Sequence, residues 1–281
     1  MQVIRSPIRL RSLVRRYKMR GEKVGFVPTM GALHEGHLTL VRRARRECDQ
    51  VVVSIFVNPL QFGPREDYRR YPRVFSQDRA LLQKEKVDLL FFPSAKTMVP
   101  GRFCASVDVG PVAEPLCGKF RPGHFRGVAT VCAKLFNIVQ PELVYFGQKD
   151  YQQTKVIAEL LRDLDFDIQM KVIPTVREKD GLAMSSRNRY LSDEERKKAL
   201  SLSQALIFGK KRIRDGERDP KKILLHMRAL LRENEVRRMD YVSVVDPETL
   251  KPVPRIRGIV LLAIAAWVGK TRLIDNCLVR V

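Results

Sequence analysis

Two histidines, His34 and His37, stand three residues apart in the segment 24–37, where an apolar run passes into a turn containing Gly31 and Gly36. If a helix begins near Gly36, both imidazoles lie on one face of its first turn, because residues three apart are neighbours on a helix. The N–H groups and the dipole at a helix N-terminus attract phosphate. Two imidazoles can also stabilise the charge on a leaving pyrophosphate. The segment therefore predicts a nucleotide-phosphate site, with surface histidines on an ordinary strand–turn–helix as the alternative.

The elements that position this turn are predicted from alternating apolar and amphipathic stretches. Apolar runs predict strands at 24–29, 51–57, 89–92 and 143–146, and helical patterns cover 36–47, 76–86 and 124–139. Such alternation is typical of βαβ units around a mainly parallel sheet, in which ligands bind beyond the carboxyl ends of the strands. The loops 28–37, 58–63 and 147–153 follow three of these strands, so we expect them to form one crevice.

The pattern changes near residue 176, after a further predicted strand at 168–172. A capping box beginning at Ser192 opens a helix that we expect to continue to about Phe208. Asp219 and Pro220 are typical of the start of another helix, over 220–233. Strands are then predicted at 241–245, 258–267 and 278–281. We therefore expect an α/β protein with a Rossmann-like parallel-sheet domain over 1–175 and a smaller α+β domain over 176–281.

The chain is strongly basic, with a formal net charge of +22 and a pI near 10.2. This charge raises nucleic-acid binding as a rival function. The basic residues are spread through the chain and mixed with acidic ones, however, and no zinc-finger, recognition-helix or aromatic RNA-binding motif accompanies them. We therefore favour a solvated basic surface that attracts phosphorylated and carboxylated small molecules, and keep nucleic-acid binding on the same scaffold as the non-enzyme alternative.

The cysteines and the apolar runs indicate the compartment. The five cysteines are odd in number and show no C-x-x-C spacing, so we expect reduced, mostly buried thiols rather than a zinc site or disulfides. The longest apolar run, 259–268, is too short to span a bilayer, and the N-terminus lacks a signal-peptide core. We expect a soluble, cytoplasmic protein with no membrane association.

Five motifs carry a family resemblance in this order: Val27–His37, Val53–Phe62, Arg121–Gly127, Tyr145–Gln153 and Asp180–Asn188. Over nearly its whole length the chain resembles the pantoate–β-alanine ligases of the HxGH nucleotidyltransferase superfamily. The resemblance implies an AMP-forming ligase that joins (R)-pantoate to β-alanine through an enzyme-bound pantoyl adenylate and releases pyrophosphate, then AMP. It also implies ATP with Mg²⁺, and a homodimer.

The resemblance also implies the residues that act on ATP. The implied catalytic residues are His34, His37, Lys149, Ser185 and Arg187, with His37 as the proton donor. The implied ATP-binding residues are Met30, Gly31, Ala32, Leu33, His34, Glu35, Gly36, His37, Gly147, Gln148, Lys149, Asp150, Val176, Met184, Ser185, Ser186 and Arg187. Hydroxyl, ammonium and guanidinium donors suit the phosphates of ATP. By sequence alone, the loop around Lys149 could equally be an exposed loop and Val176 an ordinary strand-end valine.

The acid substrates need neutral donors and acceptors as well as charge. Gln61 and Gln153 carry amides that do both, and they match the family's pantoate-binding positions. Gln61 and His124 match the β-alanine side, and Asn58 and Phe62 could complete the wall. The amine of β-alanine must lose a proton before it reacts, and the sequence singles out no group to accept it.

The metal is less well defined by the sequence. Asp78 matches an acidic family position and is the one candidate Mg²⁺ ligand, but Gln77 stands where relatives are often acidic, and a helix-surface aspartate is the favoured interpretation. The other enzymatic alternative is a related nucleotidyltransferase that acts on a phosphorylated acceptor. Such an enzyme would need cationic residues where Gln61 and Gln153 stand.

Overall fold

The structure is a computed structural model that describes residues 1–64 and 66–281. The chain divides into two compact units. The first comprises 1–113, 121–148 and 153–174, and the second comprises 114–120, 149–152 and 175–281. The predicted division into 1–175 and 176–281 places the segments 114–120 and 149–152 in the first domain, whereas the structure places them in the second unit.

The first unit contains a parallel sheet surrounded by helices. Its strands are β1 (Gln2–Ile4), β2 (Val24–Thr29), β3 (Gln50–Ile55), β4 (Leu89–Phe91), β5 (Leu143–Gly147) and β6 (Gln169–Ile173). Its helices are α1 (Pro7–Met19), α2 (Glu35–Glu47), α3 (Phe75–Lys84), α4 (Ala95–Met98), α6 (His124–Val139) and all but the first two residues of α7 (Tyr151–Asp163). The sequence patterns predicted strands β2 to β6 and helices α2, α3 and α6, but not β1, α1, α4 or α7.

The strand order β1-β4-β3-β2-β5-β6, with every pair parallel, confirms the predicted α/β sheet. The chain passes outwards from β2 through β3 to β4 and then returns to place β5 on the other side of β2. The order therefore reverses between β2 and β5, which is where ligands bind in open parallel sheets. Val27, Val53 and Leu90 are fully buried in the core of this sheet, as expected when helices cover both faces.

The second unit combines an antiparallel sheet with two long helices. Strands β7 (Arg238–Val245), β8 (Ile259–Val268) and β9 (Thr271–Arg280) lie in that order, with α8 (Asp193–Arg214), α9 (Pro220–Glu233) and the short α5 (Cys117–Phe120). The predicted caps are present: Ser192 Oγ accepts the N–H of Glu195 at 3.2 Å, and Asp219 Oδ1 accepts the N–H of Lys221 at 2.8 Å. The α+β expectation is therefore confirmed.

The end of α8 and the start of β9 differ most from the prediction, and β7 begins at Arg238 and not at residue 241. Helix α8 continues past Phe208 because Gly209 is a packing residue and not a stop signal: a Cβ there would lie 2.8 Å from Met227 Sδ and 3.0 Å from Leu262 Cδ1. Strand β9 begins at Thr271 and not at Leu278, because it pairs with β8 along its whole length.

No helix in the described ranges is both long and apolar enough to cross a bilayer. All five cysteines are free thiols, as expected, and Cys48, Cys117 and Cys132 are buried. Burial raises the pKa of Cys132 to about 12 and that of Cys277 to about 11. Because the thiolate is the reactive form, both thiols react slowly at neutral pH, and the burial of Cys132 also limits access of a reagent to it.

We therefore expect one fast thiol per chain, the exposed Cys104, when the native protein meets a disulfide reagent at pH 8. Denaturant should release all five. The measurement is the absorbance change with time, and Cys104→Ser should remove the fast phase while leaving the denatured count at four. Two or more fast thiols in the native protein would contradict the expected protection of the other four, three by burial and Cys277 by its raised pKa.

Candidate active site

The two histidines lie at the start of α2, beyond the carboxyl end of β2. His34 is the N-cap residue and α2 begins at Glu35. The imidazole centroids of His34 and His37 are 4.1 Å apart, which confirms that both rings lie on one face. The backbone N–H of His34 donates to His37 Nδ1 at 3.3 Å. In neutral His37 the ring proton must then be on Nε2, because an accepting nitrogen carries no hydrogen.

The turn before α2 has an unusual backbone. Gly31 and Ala32 both have positive φ, +81° and +50°. A Cβ at Gly31 would lie 2.9 Å from Ile55 Cγ2, so glycine is needed for both conformation and space. The N–H of Gly31 donates to Thr29 Oγ1 at 3.2 Å. The N–H groups of Ala32 and Leu33 also donate within the protein, to the carboxylate of Asp78.

Asp78, on α3, holds this turn. Its Oδ2 accepts the N–H of Ala32 at 2.9 Å and its Oδ1 accepts that of Leu33 at 2.8 Å. Asp78 is only 2% exposed, so the interpretation as a helix-surface aspartate is wrong. The signal was its spacing, because Asp78 lies four residues before the fully buried Leu82 and therefore shares its face.

The inward hydrogen bonds change which groups of this segment can face a phosphate. The N–H groups of Gly31, Ala32 and Leu33 donate within the protein. The donors suited to an anion are therefore the two imidazoles and the N–H groups of Glu35 and Gly36, which occupy the first two helical positions and have no intrahelical acceptor. A phosphate at this turn would therefore meet the donors of the helix start rather than those of the glycine turn.

Gln61 ends a short 3₁₀ turn, Pro59–Gln61, that follows β3. Asn58 fixes this turn: its Oδ1 accepts the N–H of Leu60, and its Nδ2 lies 3.0 Å from both Gln61 Oε1 and the carbonyl of Gly127. The Gln61 Nε2 lies 3.2 Å from Met30 Sδ. The structure thus brings a predicted pantoate-binding residue next to a predicted ATP-binding one.

His124, at the start of α6, is 8% exposed and lies against the same turn. Its Nδ1 is 2.8 Å from the Gln61 carbonyl oxygen, and Arg121 Nη1 is 3.0 Å from its Nε2. Because arginine only donates, Nε2 must accept and Nδ1–H must donate to Gln61. The two predicted β-alanine residues, Gln61 and His124, are therefore in direct contact.

Gly127 packs against the Gln61 turn, a role that was not predicted from the sequence. It lies inside α6, and a Cβ on it would be 2.2 Å from the Leu60 carbonyl oxygen and 2.7 Å from Gln61 N. Only glycine permits the helix to approach the Gln61 turn this closely. A single glycine within an apolar helical pattern was the available signal.

Gln153 lies on α7, because the predicted loop 147–153 is instead a 3₁₀ turn, Gln148–Asp150, followed by a helix from Tyr151. Gln153 is half-buried, and its role toward pantoate stays a prediction. The preceding Gln152 is more deeply buried. Its side chain accepts the N–H of Cys117 at 2.9 Å and donates to the Pro115 carbonyl at 2.7 Å, within the second unit.

Lys149 and Asp150 belong to the second unit. The Lys149 carbonyl accepts a 2.8 Å hydrogen bond from Nδ2 of Asn276, a buried residue of β9. The Lys149 Nζ is 4.0 Å from Asp150 Oδ1, too far for a strong ion pair. The position of this lysine is therefore fixed through its backbone.

A narrow hairpin brings together the predicted ATP-binding residues Val176 and Met184. The N–H of Met184 donates to the Val176 carbonyl at 3.0 Å, and that of Glu178 donates to the Leu182 carbonyl at 2.8 Å. The hairpin leads directly into a 3₁₀ turn, Ser186–Tyr190, where Ser185 Oγ accepts the N–H of Arg187 at 3.3 Å. Ser186 is buried, while Ser185 and Arg187 are partly exposed.

Side chains from α8 and β9 hold this hairpin on both sides. Arg196 of α8 donates to Glu178 and Asp180, both at 2.6 Å. Arg177 forms two hydrogen bonds, of 2.7 and 2.9 Å, with the buried Asp275 of β9. Burial would raise the pKa of Asp180, but the Leu182 N–H and the Arg196 guanidinium lower it below its usual value. The ionised carboxylate of Asp180, which binds Arg196, is therefore the stable form near neutral pH.

The Asp78 contact predicts a stability effect. Asp78→Asn keeps the shape but replaces one accepting oxygen with an NH₂ that faces a backbone N–H. We expect a loss of about 1–3 kcal/mol in the free energy of unfolding, the usual effect of leaving a buried group unsatisfied. Urea unfolding measures it, and Asp49→Asn is the matched control, because the exposed Asp49 accepts the N–H of Lys23. Equal stabilities of the two variants would contradict the assigned role.

The paired imidazoles at the switch point of a parallel sheet define an α/β nucleotide-binding protein. The model of the pantoate–β-alanine ligase family matches residues 2–278. The pantothenate synthetase of Thermotoga neapolitana is 54% identical over 276 residues, which cover 98% of this chain and 99% of the relative. That of Sulfurihydrogenibium sp. is 52% identical over 277 residues, with the same coverage.

Solved structures agree with this assignment. The pantothenate synthetase of Thermus thermophilus has a TM-score of 0.94 at 49% identity, with 99% of each chain covered. The pantoate–β-alanine ligase of Francisella tularensis, a complex with beta-gamma ATP and β-alanine, has a TM-score of 0.83 at 34% identity, with 99% of this chain and 97% of that one covered. The chain therefore belongs to the pantoate–β-alanine ligase family.

Proposed function

We propose that this protein catalyses the ATP-dependent condensation of (R)-pantoate with β-alanine to pantothenate, through a pantoyl adenylate. Membership of the family supports the overall reaction. The observation that carries the proposal is the imidazole pair of His34 and His37, 4.1 Å apart at the start of α2 and beyond β2. That position suits a triphosphate, and the first half-reaction needs charge stabilisation there.

In the first half-reaction a pantoate carboxylate oxygen attacks the α-phosphorus of ATP. The new O–P bond forms, the bond to the pyrophosphate oxygen breaks, and pyrophosphate leaves. An ionised carboxylate needs no general base, so catalysis depends on positioning and on stabilising the leaving group. His37 is suited to donate from Nε2, because its Nδ1 accepts the N–H of His34. Met30 contacts the nucleotide from the preceding turn.

The remaining ATP contacts in the proposal come from the second unit. Lys149 supplies an ammonium, and Ser185, Ser186 and Arg187 supply hydroxyls and a guanidinium for the phosphate oxygens. The hairpin pairing of Val176 with Met184 supports a joint role for them on the nucleoside side. Asp150 and Gln148, the neighbours of Lys149 in the sequence, are the other ATP-binding residues that we propose in this motif.

The described residues do not fit a protein-held magnesium site. They contain no group of three or more His, Cys, Asp or Glu side chains placed to hold a metal ion. Asp78, the one candidate ligand from the sequence, directs both carboxylate oxygens at backbone N–H groups. We therefore include Mg²⁺ only as the counterion of the ATP substrate and assign no step to a metal bound by this chain.

In the second half-reaction the uncharged amine of β-alanine attacks the acyl carbon of the adenylate. A C–N bond forms, the acyl C–O bond to AMP breaks, the amine loses a proton and AMP leaves. Gln61 and Gln153 bind pantoate in this proposal, and Gln61 with His124 lies beside β-alanine. The contact between Gln61 and Met30 supports a common location for acid and nucleotide. A homodimer in the cytoplasm completes the proposal, by family resemblance.

The deciding experiment is pyrophosphate exchange into ATP with Mg²⁺, comparing pantoate, other small carboxylic acids and no acid. Exchange should require pantoate, and AMP should appear only after β-alanine is added. Exchange with a different acid would overturn the substrate, and no exchange with any acid would overturn the ligase function. Salt-dependent binding to nucleic acid without exchange would then favour the non-enzyme alternative.

Replacement of His37 tests its role as proton donor. We expect His37→Ala to lower the rate of pantoate-dependent exchange by about 10²–10⁴-fold, the usual contribution of a positioned acid, with an unchanged far-UV circular dichroism spectrum. The control is His226→Ala, since His226 is exposed on α9 and its Nδ1 bonds to the Lys222 carbonyl in its own helix. Near-normal exchange by His37→Ala would show that His37 is not the proton donor.

Arg196 tests the positioning of the phosphate-binding turn. Arg196→Met keeps an unbranched apolar stem but releases Glu178 and Asp180, so we expect the KM for ATP to rise about tenfold, equivalent to roughly 1.4 kcal/mol, with little change in the KM for pantoate. Lys197→Met, the adjacent and exposed position, is the control. An unchanged KM for ATP would show that the hairpin does not depend on Arg196.

A further inference from the structure

Glu66 belongs to none of the five motifs, yet it lies at the end of a hydrogen-bond chain that reaches Gln61. We propose that Glu66 is a positioning residue for the acid substrate, acting through Arg121 and His124 on the Gln61 turn. The inference rests on the proposed function and adds to it a group that sets pantoate affinity without touching pantoate.

The first link is a two-point ion pair. Arg121 Nε donates to Glu66 Oε1 at 2.7 Å, and Arg121 Nη2 donates to Glu66 Oε2 at 2.5 Å. The Arg121 side chain is only 12% exposed. Two parallel bonds fix the plane of the guanidinium, which a single contact would leave free to rotate.

The fixed plane determines where the other donors of Arg121 lie. Its Nη1 is 3.0 Å from His124 Nε2, and its Nη2 also lies 3.3 Å from the Gln61 carbonyl oxygen. Since Nη1 can only donate, it keeps His124 Nε2 unprotonated. The proton of the neutral ring is then on Nδ1, which donates to the same Gln61 carbonyl at 2.8 Å.

The Gln61 carbonyl thus receives two hydrogen bonds whose directions both depend on Glu66. The rest of the turn is held by groups independent of Glu66, namely the Asn58 side chain and the close approach of Gly127. Loss of the Glu66 carboxylate should therefore shift the Gln61 main chain, and with it the amide that binds pantoate, without unfolding the turn. The ATP-binding residues of α2 take no part in this chain of contacts.

The test is Glu66→Gln in the pantoate-dependent exchange assay. We expect the KM for pantoate to rise on the order of tenfold, with kcat and the KM for ATP within about twofold of wild type and the thermal midpoint nearly unchanged. Glu66→Asp keeps the charge and should recover part of the affinity. Glu22→Gln is the matched control, because it removes another carboxylate that bonds to an arginine Nε, that of Arg20, at 2.6 Å.

A double-mutant cycle separates positioning from general stabilisation. If Glu66 acts through Arg121, the KM effects of Glu66→Gln and Arg121→Met should be clearly non-additive. An unchanged KM for pantoate in Glu66→Gln, additive effects in the cycle, or equal rises in both KM values with a lower thermal midpoint would each overturn the inference. Failure of the wild type to exchange with pantoate would instead overturn the proposed function.

Discussion

The geometry of the turn before α2, where we propose that ATP binds, depends on one buried carboxylate, that of Asp78. Ala32 adopts a left-handed backbone, which for a residue with a Cβ is less stable by about 1–2 kcal/mol. Hydrogen bonds to a charged group contribute about 1.5–3 kcal/mol each, and Asp78 forms two with this turn. The favourable term is the larger one, so the turn is stable, and it sets the direction in which α2 and its two histidines leave the sheet.

The Gln61 turn, proposed to bind the acid substrates, follows a different principle, since its position depends on the approach of one backbone to another. Gly127 lets α6 contact the Gln61 turn, and Asn58 bonds to both partners at that contact. Polar side chains here bond both to one another and to the backbone of the turn, and the position of Gln61 results from several neutral bonds and one ion pair. In such a network the bonds strengthen one another, so the contribution of one member depends on the rest.

The sequence predicted the features that depend on local pattern. The bounds of α6 and α9, the start of α2 and the shared face of His34 and His37 follow from periodicity and capping. Asp78, Gly127 and Gly209 were missed or misread, because their roles arise from residues 40 or more positions away, or from a neighbouring helix and strand. The helical position of Gln153 was missed because the predicted loop 147–153 was extended over the first turn of α7, although the buried residues Val156, Ile157, Leu160 and Leu161 that follow have helical spacing.

The second unit is discontinuous in sequence, and this has a consequence for synthesis. Its segments 114–120 and 149–152 precede its sheet by many residues. Chains are made from the N-terminus and their domains fold as units. The carbonyl of Lys149 therefore cannot form its bond to Asn276, on β9, until that residue has been translated. A ribosome-bound chain can complete the strands of the parallel sheet early, but Lys149, in the 3₁₀ turn after β5, reaches its final position only after almost the whole sequence has been made.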